Sequence, residues 1–274
     1  MAIETKFKLC LIMGADELPF EILRNLPKNE VFIIVLKEAE VDFSKLLGYN
    51  YEIISFAKVG KVIKTIKALN IKDICFAGRV KKPSFFGLKP DFKGFFLLFK
   101  ILKLKLRGDN KLLEAIINFI EQNNLKVKGV NEICNELVVK KGVLTSFEPS
   151  KISQKDCENG INIVKGISSF DIGQAIVIQE GVVIGVEAVE GTDELIKRCG
   201  ELKYKSKNLP VLVKCAKSNQ TLKIDMPTIG LNTIKMLAKH NFAGVCIEAG
   251  SCLLLQKEEA IEFANKNNIF IIGI

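Results

Sequence analysis

Histidine is nearly absent from this chain: His240 is the only one in 274 residues. That scarcity excludes dinuclear phosphoesterase centres built on clustered histidines, and a Ser-His-Asp triad would have to use His240 itself. Its position near the end of a predicted helix suits a helix-end residue, where a cation favours the dipole. A metal is then expected to be held by oxygen ligands, which favours Mg²⁺ over zinc. Long apolar runs are missing too, and none approaches the ~20 residues of a membrane span. Residues 1–8 carry charges and lead straight into an apolar strand, without the basic-apolar-small order of a signal peptide. The eight cysteines form no C-x-x-C pair, and several sit in apolar runs, as small buried hydrophobes do. A reduced, cytoplasmic protein is the expectation. The first strand-to-helix turn holds Gly14 alone where a dinucleotide fingerprint needs three glycines, which argues against a nicotinamide oxidoreductase. Internal repeats and low-complexity tracts are absent.

What is present is an ordinary globular mix, 48% hydrophobic and 26% charged, long enough for two cores. Strands predicted over 8–13, 31–36, 51–55 and 73–76 alternate with helices over 17–24 and 58–69. That order implies a parallel, doubly wound sheet. A further helix is expected over 109–123, then a short strand and turn over 126–134. Periodicity is lost from Thr145 to Asn159. The expected organisation is an N-terminal Rossmann-like parallel-sheet domain over 1–134, a linker over 135–150, and a C-terminal mixed α/β domain over 151–274. The second domain is expected to open with a helix near 161–168, followed by a hairpin over 175–179 and 182–189. A helix over 191–199, a strand over 211–215 and strands near 244–247, 252–255 and 269–272 complete it, with a helix over 257–265.

The most informative stretch is Asp225-Met226-Pro227-Thr228-Ile229-Gly230. Pro227 suits a first helical position, which predicts a helix over 228–239 with free backbone N–H groups beside Asp225. Such an end binds phosphate, and a neighbouring carboxylate can hold a metal. Locally, Asp225 is equally well read as a helix N-cap. Lys214 and Lys217 follow a strand leading toward it and are candidate phosphate contacts or plain surface lysines. Glu190, Asp193 and Thr192 offer two carboxylates and a hydroxyl. These could complete a metal and phosphate site or merely favour the start of a helix.

The basic excess is concentrated between positions 81 and 107, where eight lysines and arginines face the single acidic Asp91. The same window holds Phe85, Phe86, Phe92, Phe95, Phe96 and Phe99. Such a mix suits an anionic membrane or a lipid. Single-stranded nucleic acid or a core helix with a solvated lysine edge would also fit.

Taken in order, these motifs resemble the LpxI-type UDP-2,3-diacylglucosamine pyrophosphatases of lipid A biosynthesis. The strings that carry the resemblance are Asp171-Ile172-Gly173-Gln174, Glu187 through Asp193, Asp225 through Gly230, and Gly244…Glu248-Ala249-Gly250. In the first half Phe76-Ala77-Gly78-Arg79-Val80 with Pro83, and Gly108-Asp109-Asn110, add to it. Two positions depart from the family pattern. Ala15 and Asp16 follow Gly14 in place of a glycine-rich turn, and Arg79 stands where asparagine is common.

The resemblance implies Mg²⁺-dependent hydrolysis of UDP-2,3-diacylglucosamine to UMP and 2,3-diacylglucosamine 1-phosphate (lipid X), with substrate held between two domains. It implies Asp225 as the catalytic residue, with Asp225, Asp193 and Glu190 as candidate metal ligands. Candidate substrate contacts are Gly14, Gly78, Arg79, Asp109, Gln174, Thr192, Lys214, Lys217 and Thr228. Asp109 could equally cap a helix, and Gln174 or Glu248 could be ordinary polar edge residues. A homodimer is implied as well. The basic, aromatic stretch then gains a purpose: peripheral attachment to an anionic membrane at the inner face of the inner membrane, with no nucleic-acid partner. The rival reading is a non-catalytic nucleotide-sugar or lipid-binding protein in which Asp225 only caps a helix.

Overall fold

The computed structural model describes residues 7–80, 90–96, 109–170, 172–217 and 221–274. The chain divides into two units. The first comprises residues 1–134 with Lys223–Asp225, and the second Asn135–Leu222 with Met226–Ile274.

In the first unit, β1 (Leu9–Met13), β2 (Val31–Leu36), β3 (Asn50–Ile54), β4 (Asp73–Ala77) and β5 (Lys126–Lys128) form one sheet. The strand order is β3-β2-β1-β4-β5 and every pairing is parallel. All five β1 residues are buried, as a central strand covered on both faces requires. Helix α1 (Leu18–Arg24) carries Pro19 in its first turn, where the missing N–H costs no helical bond. Helices α2 (Val59–Ala68) and α3 (Asp109–Glu121) supply Val62, Ile63, Ile66, Ile117 and Ile120 to one core with Cys10, Ile12, Ile34 and Ile74. A single turn, α4 (Val130–Ile133), follows β5. Strand order reverses between β1 and β4, so their carboxyl ends flank the switch point of this sheet.

The second unit has a six-stranded sheet in the order β6-β13-β11-β9-β7-β8. Its parallel centre is β9 (Val211–Lys214), β11 (Gly244–Ile247) and β13 (Phe270–Gly273). The antiparallel hairpin β7 (Ala175–Gln179) and β8 (Val182–Val186) flanks β9, and β6 (Gly142–Val143) flanks β13. Glu180 and Gly181 turn the hairpin with φ of 52° and 82°, the pair of positive values a two-residue hairpin turn demands.

Strand periodicity sorts the side chains into two cores. Ala175, Val177, Leu212, Val245 and Ile271 face α6 (Thr192–Leu202), α7 (Leu231–Lys239) and α8 (Lys257–Lys266). Their neighbours Ile176, Ile178, Val211, Val213, Cys246, Phe270 and Ile272 face α5 (Lys151–Ser168). All eight cysteines are buried and none forms a disulfide. Burial pushes the Cys75 and Cys252 thiols up to about 12, so they pack as neutral apolar groups.

Three segments differ from expectation. Residues 135–150, expected as a linker, contribute β6 to the second sheet, and Thr145 Oγ1 accepts from the Ile271 N–H at 3.0 Å. The helix expected from 161 begins ten residues earlier, at Lys151, with Ser150 accepting from the Ser153 N–H at its start. The buried face of its first ten residues is built from Ser153, Asp156, Cys157 and Gly160, which carry no large-apolar periodicity. A Cβ at Gly160 would stand 2.5 Å from Val213 Cγ2, so the helix lies close on the sheet because that side chain is absent.

The third difference concerns Pro227. Thr228–Ile229 is a short strand, β10, paired in parallel with β12 (Leu253–Leu254), and the helix begins only at Leu231. The Pro227 carbonyl accepts from the Leu253 N–H at 2.9 Å, and the Ile229 carbonyl from Leu255 at 2.8 Å. A strand partner distant in sequence therefore captured a segment whose local pattern favoured a helix start. Proline is tolerated at the opening of such a strand because no ladder bond needs its nitrogen.

Candidate active site

Topology collects polar residues on one edge of the second sheet. Lys214 ends β9; Ala175, which starts the antiparallel β7, lies beside it in register, and so does Ile247 at the end of β11. Glu187 follows β8 on the same edge and donates its N–H to the Ala175 carbonyl at 2.9 Å. Gln174, Glu187, Lys214 and Glu248 thus meet at the carboxyl ends of the parallel strands, where open α/β sheets bind ligands.

Lys214 and Glu187 are each only 6% exposed. Burying charges at this depth is costly unless hydrogen bonds hold them. Lys214 Nζ donates to Thr192 Oγ1 at 2.9 Å and to the Thr228 carbonyl at 3.1 Å. Thr192 Oγ1 in turn donates to Glu187 Oε1 at 2.6 Å, while Glu187 Oε2 accepts from the Gln174 N–H at 3.1 Å. The Gln174 side-chain oxygen is buried and has no hydrogen-bond partner among the described residues. Next to this group, Glu248 accepts from the Ala216 N–H at 3.0 Å and pairs with Lys165 at 2.9 Å. That hydrogen bond from Lys165 to Glu248 holds the lysine above its ordinary range.

The expected site residues are distributed as follows. Thr192, Lys214 and Thr228 meet directly, and Gln174 joins them through Glu187. Lys217 lies three residues beyond the end of β9 and is half-buried. Asp193 is exposed in the first turn of α6. Glu190 turns back to accept from the Ala188 N–H at 3.1 Å and pairs with Arg198 at 2.9 Å. Its own backbone N–H and the Arg198 guanidinium hold that carboxyl below the usual carboxylate range. Asp225 is exposed, and Lys223–Asp225 clusters with the first unit: Ile224 packs on its core and Lys223 pairs with Glu121 at 3.0 Å. Met226, the next residue, is buried in the second unit. His240 ends α7 as its C-cap.

In the first unit Gly14, Gly78 and Arg79 meet at the switch point. Ala15 and Arg79 exchange backbone hydrogen bonds of 2.8 and 3.0 Å across the ends of β1 and β4. A Cβ on Gly78, at φ 88°, would lie 2.3 Å from the Ala15 carbonyl, so close backbone approach accounts for that glycine. Arg79 is 88% exposed along its side chain and pairs bidentately with Asp16. Asp109 starts α3, and its side chain lies outside the described residues. Asp171, Gly108 and most of the basic aromatic stretch, including Lys100, Lys103 and Lys105, also fall outside them.

Among the described residues no group of three or more acidic, histidine or cysteine side chains stands close enough to hold a metal. Of the candidate ligands, Glu190 is paired with Arg198, while Asp193 and Asp225 are exposed. Mg²⁺ commonly takes one or two carboxylates and completes its shell with substrate phosphate and water, and an exposed aspartate fits that lesser demand.

Glu187 was missed as a site residue. Its signal was a carboxylate ending the apolar run of a hairpin strand, but only the fold sets it beside a lysine 27 positions away in sequence.

Fold and edge together define an open-sheet α/β protein with a charged ligand edge. The chain matches the LpxI N-terminal domain over residues 8–137 and the LpxI C-terminal domain over residues 140–272. It is 30% identical over 272 residues to the UDP-2,3-diacylglucosamine pyrophosphatase LpxI of Caulobacter vibrioides, an alignment that covers 97% of each chain. The chain belongs to the LpxI family.

Proposed function

We propose that this LpxI-family enzyme hydrolyses the pyrophosphate bond of UDP-2,3-diacylglucosamine, releasing UMP and 2,3-diacylglucosamine 1-phosphate, with Mg²⁺ as cofactor in lipid A biosynthesis. The observation that carries the reading is the end-to-end similarity to a relative of that name. The buried Lys214 at the ligand edge of the second sheet supports it, because a desolvated ammonium interacts strongly with phosphate oxygens. In this reading Lys214, with Lys217, binds the pyrophosphate and offsets negative charge that grows as the bond breaks. The buried Gln174 oxygen offers an acceptor to a donor on the nucleotide or sugar. Asp225, exposed to solvent, orients the attacking water or holds the metal, with Asp193 as a second exposed carboxylate. When bound, Mg²⁺ supplies charge neutralisation at the phosphate oxygens.

The same reading gives the acyl chains and the membrane a contact. Phe92, Phe95 and Phe96 are 78, 58 and 55% exposed, with ring centroids 5.0 and 6.2 Å apart. Asp91 anchors them, accepting from the N–H groups of Gly60, Lys61 and Gly94 at 2.8 to 3.1 Å. Exposed aromatics beside a basic surplus suit peripheral attachment to an anionic leaflet. Among the described residues no helix is long and apolar enough to cross a membrane. A homodimer rests on the family resemblance alone.

The test is UMP release from UDP-2,3-diacylglucosamine with Mg²⁺ or EDTA, beside a folded Asp225→Asn variant. Release that requires Mg²⁺ and disappears in the variant is expected. A folded wild type that binds the substrate without cleaving it would support a nucleotide-sugar or lipid-binding protein instead.

A further inference from the structure

We infer that Glu187 and Thr192 are positioning residues for Lys214, forming a fixed relay that holds the ammonium at the edge of the second sheet. The inference rests on the pyrophosphatase reading for its consequence in catalysis, though not for its geometry.

A threonine hydroxyl has one proton to donate, along with acceptor lone pairs. Lysine Nζ only donates, so Thr192 Oγ1 must accept at the 2.9 Å contact with Lys214. A carboxylate only accepts, so the single hydroxyl proton goes to Glu187 Oε1, at 2.6 Å. Both contacts therefore have one permitted direction, from lysine to threonine to glutamate. In this arrangement the single Thr192 proton is engaged at Glu187.

Each end of the relay is fixed independently. Glu187 Oε2 accepts from the Gln174 N–H at 3.1 Å, and the Gln174 carbonyl accepts from the Cys215 N–H at 3.0 Å. The carboxylate is thereby tied to the residue that follows Lys214 in the chain. At the other end Lys214 Nζ also donates to the Thr228 carbonyl at 3.1 Å, and Thr228 belongs to β10, locked in register with Leu253. Thr192 itself is the first residue of α6, so its rotamer is set by a helix packed on the sheet through Leu195, Ile196 and Cys199.

A long lysine side chain otherwise samples many rotamers, and fixing it before substrate arrives removes an ordering cost from binding. The chemistry differs from a direct Lys–Glu pair. A hydroxyl stands between the charges, so Glu187 supplies an electrostatic counterweight and a direction through Thr192. An anion approaching the sheet edge can then be met by a lysine that is already aimed. The ligand class this suits is a phosphate or pyrophosphate oxygen.

Two readouts test the relay on full-length protein. One is kcat/KM for UMP release from UDP-2,3-diacylglucosamine. The other is the ¹H–¹⁵N signal of the Lys214 ammonium, identified by its loss in Lys214→Arg. Thr192→Val preserves side-chain shape and removes the hydroxyl, while Thr192→Ser restores it. Thr192→Val is expected to lower kcat/KM by about tenfold, the size of a lost charge-assisted hydrogen bond, and to broaden the Lys214 signal away. Thr192→Ser is expected to keep both near wild type. Glu187→Gln, checked for folding by circular dichroism, should reproduce the loss of signal.

A folded Thr192→Val that retains the Lys214 signal overturns the inference whatever its activity. If activity then falls with the signal intact, Thr192 acts on substrate directly. If wild type releases no UMP, the pyrophosphatase reading fails, and the ammonium signal across the three proteins still decides the relay.

Discussion

Each unit ends its parallel strands in an edge where an open sheet can receive a ligand, and the two edges are furnished in opposite ways. At the first, Gly14 and Gly78 bring backbone against backbone, and the Ala15–Arg79 bridge closes the ends of β1 and β4. The charges there, Asp16 and Arg79, pair in solvent. At the second, side chains fill the edge: Lys214, Glu187, Thr192 and Gln174, with the two charges nearly sealed from water. An equivalent place in the topology therefore does not imply equivalent chemistry. A buried charge acts strongly in low dielectric, while an exposed pair is screened by water and salt.

The largest effect that would break this contrast is at Lys214. Lys214→Met keeps the length of the side chain, removes its charge, and is expected to reduce UMP release by about 10²-fold or more, the scale of a lost electrostatic stabiliser. Steady-state kinetics at saturating Mg²⁺ would check it, and an unaffected kcat/KM would remove the second edge from the mechanism. Next comes Gly78→Ala, which forces a Cβ into a backbone contact at positive φ and should cost about 2 kcal/mol of first-unit stability. A urea midpoint unchanged from wild type would show that the close approach at this edge is dispensable. Smallest is Arg79→Ala. An exposed ion pair stabilises by roughly 0–1 kcal/mol, so melting temperature and kcat should stay close to wild type. A loss comparable to that of Lys214→Met would instead make the first edge a second phosphate site and erase the contrast.

The membrane reading sharpens a different comparison, between the exposed phenylalanines of the first unit and the wholly buried apolar set beside α6 to α8 of the second. Replacing Phe92, Phe95 and Phe96 with serine should weaken binding to anionic phospholipid vesicles by well over tenfold, because each fully buried aromatic contributes about 1.5–3 kcal/mol. Co-sedimentation at fixed salt would measure it, and unchanged binding would leave the basic charges as the only contact.

Much of this architecture was legible because local patterns and the final environment agreed. The strands at Leu9–Met13 and Val31–Leu36 are apolar runs that only a sheet covered on both faces can bury. The hairpin at Glu180-Gly181 was readable because the turn requires residues that tolerate positive φ. Prediction failed where small and polar residues are the buried ones. The start of α5 was hidden because Ser153, Asp156 and Gly160 fill its inner face. Asp156, 3% exposed, accepts from the N–H groups of Glu180 and Gly181 at 2.8 and 2.7 Å, a role no periodicity announces. Pro227 pointed to a helix because its local signal is real, yet Leu253 offered the same backbone a strand partner.

By itself the sequence determined the alternation of strands and helices, the mixed second sheet, the motifs that signal the LpxI family and the candidate residues Lys214, Thr192 and Thr228. Those follow from side-chain period and residue chemistry, which act over a few neighbours. Tertiary structure decided that Thr192, Lys214 and Thr228 touch and that Glu187 stands behind them. It also turned Glu190 toward Arg198 and left Asp225 exposed with its neighbours on the first unit's core. Hydrogen bonds between residues 14 and 22 positions apart depend on which strands lie side by side, and strand order is a property of the whole sheet.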